Sequence, residues 1–293
     1  MQLWKTRCLK RWAKRESFIA MTLTLNGTLV LVGAGKMGGA MLEGWLKAGA
    51  DPEKIVALDP GPPPEVLALL AHHGIRHNPA VDTIDNAEVV LVAVKPQVMD
   101  DVLAPLGGLA NSKPVVLSVV AGKTIARLAA HFGSDASIIR TMPNTPAAIG
   151  RGITAMVGNS HVTASQMALA EQLLSTIGEV VRVDTEEQID WVTGVSGSGP
   201  AYVFLLTECL AAAGEKLGLS PQLAEQLARA TVSGSGELMR LSGVDASTLR
   251  QNVTSPKGTT YEALQILMAE DGLKPLMVKA VAAAARRSKE LAG

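Results

Sequence analysis

Three glycines carry the first chemical signal. The stretch Gly33-Ala34-Gly35-Lys36-Met37-Gly38 reads G-x-G-x-x-G. In that spacing the first glycine permits a tight turn and the second lets the backbone approach a pyrophosphate. The third lets a helix pack closely on the preceding strand. The pattern has meaning only between a strand and a helix. Here the apolar run from Leu29 to Val32 precedes it, and Ala40, Met41, Leu42, Trp45 and Leu46 recur at helical spacing after it. The free N–H groups and positive dipole end of such a helix suit the phosphates of a dinucleotide. Asp59 closes the next apolar run at about the customary interval from the glycines. An acid there hydrogen-bonds a ribose 2′-hydroxyl and repels a 2′-phosphate, which leans toward NAD over NADP. The proline cluster from Pro60 to Pro64 leaves the direction of its side chain open.

Other stretches read as loops at the carboxyl ends of strands, where open α/β sheets bind ligands. Ala93-Val94-Lys95-Pro96-Gln97 offers a lysine that either approaches the cofactor's phosphates or ribose or is an ordinary solvated cation. Val119-Val120-Ala121-Gly122 is made of small residues that permit close approach to a flat ring. Met142-Pro143-Asn144-Thr145-Pro146 is held extended by two prolines. Its Asn144 and Thr145 suit a carboxamide or substrate, and the plainer alternative is a rigid crossover. Later, Ser255-Pro256-Lys257-Gly258-Thr259-Thr260 leads into a helix. Its hydroxyls and N–H groups form either an anion site suited to a carboxylate or a simple N-cap. Gly194 to Tyr202 carries three glycines before an apolar helix and reads as a tight ligand contact or a hinge. Glu208 on that helix is a candidate acid, or a buried structural carboxylate. The five histidines show no metal-ligand spacing and no serine or cysteine partner, so neither metal nor nucleophilic catalysis is expected.

These residues need a scaffold. Short apolar runs at Ile55–Leu58, Val89–Val94, Val115–Val119, Ile138–Met142, Thr154–Val157 and Val180–Val183 alternate with helical stretches at Glu65–His73, Thr124–Phe132 and Thr163–Ile177. That alternation predicts a Rossmann-like, doubly wound and mostly parallel sheet over residues 21–184. From 185 to 293 the pattern is all-α, with helices expected over Ala201–Leu217, Pro221–Leu241, Thr260–Ala269 and Lys274–Leu291. The stretch Ala201–Ala213 is apolar nearly all round, and one small helical domain offers too little surface to cover it. A homodimer through the C-terminal helices follows.

Of 27 cations and 27 acids, residues 1–20 take six cations and one acid. The rest of the chain is therefore mildly acidic, with no electrostatic reason to bind nucleic acid. Residues 1–20 read as an extension. They are either a basic amphipathic segment suited to targeting or a membrane surface, or sequence upstream of a start at Met21. No apolar run reaches the length of a membrane span. Two unrelated cysteines, Cys8 and Cys209, fit a reduced cytoplasmic setting.

Assembled in order, Gly33–Gly38, Ala93–Gln97, Met142–Pro146, Gly194–Tyr202 and Thr254–Leu264 resemble the Δ1-pyrroline-5-carboxylate reductase family. The resemblance runs from about Gly27 to the C-terminus. It implies a dinucleotide domain followed by a helical domain that interlocks two subunits, in a dimer or in a decamer built from dimers. It also implies hydride transfer from NAD(P)H to the C=N carbon of (S)-1-pyrroline-5-carboxylate, giving L-proline. By that resemblance Ser255, Gly258 and Thr259 hold the substrate carboxylate, and Thr260 meets the ring nitrogen. Asn78 matches a family asparagine that contacts the adenosine ribose. Cofactor contacts are further expected from Gly33, Gly35, Lys36, Met37, Gly38, Asp59, Ala93, Lys95, Pro96, Ala121 and Asn144. The chain departs from the family at Lys257, which replaces a glycine, and at Asp59, where relatives often carry serine. The alternatives are a β-hydroxyacid dehydrogenase and a regulatory protein that senses NAD(P) without turnover. The first needs a lysine on the interdomain helix, where only Lys216 stands, at the far end.

Overall fold

Apolar runs without alternation make the centre of the sheet, because strands covered on both faces bury every side chain. The computed structural model describes residues 23–291, so the expected extension at 1–20 lies outside the described residues. The strands are β1 (Thr28–Val32), β2 (Ile55–Leu58), β3 (Arg76–His77), β4 (Ala87–Val92), β5 (Val115–Ser118), β6 (Ser137–Met142), β7 (Gly152–Gly158) and β8 (Gly178–Arg182). They form one sheet in the order β3-β2-β1-β4-β5-β6-β7-β8. Every neighbouring pair is parallel except β6 with β7. The strand order reverses between β1 and β4, the switch point at which such sheets bind ligands.

Helices α1 (Lys36–Lys47), α2 (Pro64–His72), α3 (Met99–Leu103), α4 (Ile125–Phe132) and α5 (Ala164–Ser175) accompany the sheet. One face packs Leu29, Leu31, Met41, Trp45 and Leu174 into a single cluster, and the other packs Val30, Val32, Leu103, Leu128 and Phe132. Trp45 is wholly buried, and its indole N–H donates to the Leu173 carbonyl at 3.0 Å, tying α1 to α5. Short elements escape the sequence pattern: β3 is two residues, and α3 and α6 (Glu187–Val192) are five and six.

Residues 23–198 and 282–291 form one compact unit, and 199–281 form the other. The first unit reaches beyond residue 184 because α6 sends Ile189 into a cluster with Ala155 and Val157. It also takes in the end of the last helix. The second unit contains α7 (Gly199–Lys216), α8 (Pro221–Ser242), α9 (Ala246–Asn252), α10 (Thr259–Leu267) and the start of α11 (Leu273–Leu291). Helices α7 and α8 cross closely at Gly214, where a Cβ would meet the Ala224 methyl at 3.3 Å. No residue of α7 is buried; Phe204 is 61% exposed and Leu205 58%. Glu208 is exposed too, which corrects the expectation of a buried structural carboxylate. No helix among the described residues is long and apolar enough to cross a membrane.

Trp45→Ala is expected to lower unfolding free energy by about 3–5 kcal/mol in a urea titration, the usual cost of deleting a buried tryptophan.

Candidate active site

The switch point is built by register. Val32 pairs with Leu58 and with Val92, and Val92 pairs with Ser118. Four strands therefore end side by side, and the residues that follow, Gly33, Asp59, Ala93 and Val119, emerge along one edge. Backbone bonds lace this edge together: Gly33 N–H to Leu58 O at 2.9 Å, Ala93 N–H to Val32 O at 2.7 Å and Val119 N–H to Val92 O at 3.0 Å.

The glycine turn has the shape its spacing predicts. Gly33 has φ +91°, and a Cβ there would meet the Ala93 carbonyl oxygen at 2.8 Å. At Gly38 a Cβ would collide with the Gly33 carbonyl oxygen. Gly35 caps α1 without any side-chain hydrogen bond, nothing lies within 4 Å of where its Cβ would be, and the first turn holds no acid. Open N–H groups and an unopposed dipole end suit a pyrophosphate. The residues present thus fit a dinucleotide.

Asp59 faces this turn. Its Oδ2 accepts from the Ala34 N–H at 2.7 Å and its Oδ1 from the Gly61 N–H at 2.8 Å. The proline cluster therefore leaves the carboxylate turned toward the glycines. Asn78, in the left-handed region at φ +49°, is spent on the same corner. Its Oδ1 accepts from the Asp59 N–H and its Nδ2 donates to the Asp59 carbonyl, both at 2.8 Å. Asn78 positions Asp59 in this structure.

Lys36 and Lys95 are exposed, with Met37 and Pro96 partly covered. Ala121 is exposed on its loop, while Gly122 beside it is buried. Asn144 is extended, and its Oδ1 accepts from the Ile153 N–H at 3.0 Å, which fastens the crossover to the start of β7. Behind the Ala93–Gln97 loop, Asp100 on α3 accepts from Arg127 Nε and Nη2 and from His131 Nε2 on α4, each at 2.9 Å. The Arg127 guanidinium, with His131 second, holds the Asp100 carboxyl far below the usual carboxylate range.

In the helical unit, Ser255–Gly258 is a turn closed by the Gly258 N–H on the Ser255 carbonyl at 3.0 Å. Lys257 sits in it at φ +60°, a conformation costly for a residue with a Cβ. A Cβ on Gly258 would collide with the Ser255 hydroxyl oxygen. Gly258 caps α10 with no side-chain hydrogen bond, and Thr259 and Thr260 form the first turn. Ser255, Gly258, Thr259 and Thr260 are thus gathered within one short segment. The Gly194–Tyr202 stretch is helical: Thr193–Gly197 is a π-helical turn followed by α7.

Comparison with known proteins identifies the architecture. Residues 186–291 match a family model described as pyrroline-5-carboxylate reductase dimerisation, and residues 28–122 match one described as NADP oxidoreductase, coenzyme F420-dependent. The pyrroline-5-carboxylate reductase of Pseudomonas aeruginosa is 38% identical over 266 residues, covering 90% of this chain and 96% of that protein. The chain belongs to the pyrroline-5-carboxylate reductase family. A solved structure of the Coxiella burnetii family member is 33% identical with a TM-score of 0.84, covering 92% of this chain and all of that one. The Plasmodium falciparum member, solved with NADP bound, is 28% identical with a TM-score of 0.76 and covers 92% and 99%. The chain is an NAD(P)H-dependent oxidoreductase of this family.

One group went unread in the sequence: buried Arg140, Asp190 and Ser288 and half-buried Glu186, joined by hydrogen bonds within the first unit. The available signal was an arginine in the middle of the otherwise apolar run of β6.

Gly38→Ala must displace the Gly33 carbonyl, so titration with reduced dinucleotide is expected to show affinity at least about tenfold weaker. Unchanged affinity would separate the glycine turn from cofactor binding.

Proposed function

We propose that this chain reduces the imine of (S)-1-pyrroline-5-carboxylate to L-proline, using the glycine turn for the dinucleotide and the Ser255–Thr260 segment for the substrate. The observation that carries the reading is the start of α10. Its N-cap Gly258 offers no side chain to the first-turn N–H groups, the Ser255 hydroxyl lies against Gly258, and Thr259 and Thr260 open the helix. That assembly suits a carboxylate.

A bound reduced dinucleotide supplies the hydride. Protein groups then have three tasks. Ser255, Thr259 and the open first-turn N–H groups that follow the N-cap Gly258 hold the carboxylate, and so orient the ring. The Thr260 hydroxyl meets the ring nitrogen and fixes which face of the C=N bond is presented. Lys257, in a left-handed turn beside these groups, adds a cation to their neighbourhood. If the imine binds protonated, its carbon accepts hydride, the C=N pair settles on nitrogen, and the ring becomes a secondary amine. No further proton is required from the protein, which accounts for a site without a strong acid or nucleophile. Orientation and exclusion of water do the catalytic work.

On the cofactor, Gly33, Gly35, Lys36 and Gly38 cradle the pyrophosphate, with Met37 beside them. Asp59, held toward the turn by Ala34 and Gly61, takes a ribose hydroxyl and favours NADH. Ala93, Lys95, Pro96, Ala121 and Asn144 line the rest of the dinucleotide, and Asn78 acts through Asp59. The exposed apolar residues of α7 support a homodimer through the helical unit, alone or within a decamer. Exposed Cys209, not disulfide-bonded, fits a reduced cytoplasmic setting.

Thr260→Ala is expected to lower kcat/KM for pyrroline-5-carboxylate by about one to two orders of magnitude in steady-state assays, as loss of one or two polar contacts should. Unchanged kinetics would remove Thr260 from the reaction. With both cofactors compared, kcat/KM is expected to be higher for NADH than for NADPH. Asp59→Ser should narrow the difference by about tenfold, the scale of one charge–phosphate repulsion. A strong NADPH preference in the unaltered protein would show that Asp59 does not decide the choice.

A further inference from the structure

Arg140 has no part in the chemistry above, yet it sits in the middle of β6 at 2% exposure. Its Nη2 donates to Asp190 Oδ1 at 3.0 Å and its Nη1 to Glu186 Oε1 at 3.1 Å. Ser288 on α11 donates its hydroxyl to the same Asp190 oxygen at 2.7 Å. Glu186 Oε1 also accepts from the Ile125 N–H, at the first turn of α4, at 2.8 Å. All these residues belong to one compact unit. Burying charges costs several kcal/mol per ion before pairing, and a well-packed apolar group of the same volume is often as stable. Such a cluster is better explained by what it holds in place.

It holds both sides of one loop. Ser288 lies one turn before the end of α11, and that end rests on Gly122. A Cβ built on Gly122 would meet the Leu291 Cβ at 3.0 Å and its carbonyl carbon at 3.3 Å. Gly122, at φ +69°, closes the Val119–Gly122 loop, and α4 begins just beyond it. The loop's own ties are long: Val120 N–H to Ser118 Oγ at 3.3 Å and Lys123 N–H to Val120 O at 3.4 Å. A loop so weakly tied within itself takes its shape from what backs it.

We propose that Arg140, Asp190 and Ser288 are positioning residues of the dinucleotide site. Asp190 and Ser288 set the last turn of α11 against Gly122, and Arg140, through Glu186, sets the first turn of α4 beyond it, and so they fix the loop that receives the nicotinamide. This rests on the reading that Ala121 lines the cofactor. None of the three touches a reacting atom; they act through the loop.

Three substitutions in this chain test it. Ser288→Ala removes the bolt and leaves Arg140 paired with both carboxylates. Leu291→Gly keeps the Ser288–Asp190 hydrogen bond, removes the side-chain part of the contact with Gly122 and loosens the helix end that makes the rest. Ala121→Leu puts bulk into the loop itself. The readouts are amide exchange at residues 119–124 without cofactor, the Kd of reduced dinucleotide from its fluorescence, and the KM for pyrroline-5-carboxylate. Ser288→Ala and Leu291→Gly are each expected to speed exchange in this loop and raise the dinucleotide Kd about five- to tenfold, with the imine KM moving less than about twofold. Ala121→Leu should abolish dinucleotide binding. If exchange or Kd is unchanged in both brace variants and only Tm falls, the cluster is structural and the proposal is overturned. Should Ser288→Ala not fold, Leu291→Gly decides alone, because Leu291 is 54% exposed and its loss spares the core. If Ala121→Leu binds dinucleotide normally, the loop is not at the cofactor and the proposal falls with that reading.

Discussion

The dinucleotide unit depends on the close approach of β1, α1 and β4 around Gly33. The carbonyl of Gly33 lies where a side chain at Gly38 would have to be, and the carbonyl of Ala93 crowds the place of one at Gly33. Only hydrogen atoms fit both positions. With them, α1 starts close enough to the sheet for its uncapped N-terminus to sit at the switch point. Without them the helix would be pushed outward, and the register that ends four strands side by side would deliver its loops to an edge with no anion site.

Around this contact the chain uses side chains mainly to shape backbone. Asp59 spends its two oxygens on the N–H groups of Ala34 and Gly61, and Asn78 spends its amide on the backbone of Asp59. Asn144 does the same for β7 through Ile153. Polar residues at the carboxyl edge therefore serve two ends, since a loop held by side chains keeps its remaining N–H groups aimed outward. Reduction of an imine suits such a site, because orientation contributes more to it than acid–base power.

The helical unit follows another logic. Its longest apolar helix, α7, buries none of its residues within the chain. Close crossing with α8 at Gly214 covers one stripe and leaves Phe204, Leu205 and Leu206 in the open. Apolar surface of that extent is the usual mark of an association face, and the match of residues 186–291 to a dimerisation domain agrees with it.

What the sequence determined by itself was local or periodic. Unbroken apolar runs predict buried parallel strands, and β2 spans Ile55–Leu58 as expected. Glycine spacing between a strand and a helix predicts the cofactor turn, because steric exclusion at Gly33 and Gly38 acts over a few residues. Short elements were not legible: β3 has two residues and α6 has six, too few for a period to show, and the three glycines of Gly194–Tyr202 gave no sign that its backbone is helical. Nor could spacing reveal partners distant in the chain. Nothing in the sequence pairs Arg140 with Glu186, Asp190 or Ser288, which lie far along the chain, and Asn78, expected at the adenosine ribose, also hydrogen-bonds the backbone of Asp59. A hydrogen bond is satisfied by whatever the fold places within about 3 Å, and the sequence lists candidates without their distances. Only the tertiary structure chose among them.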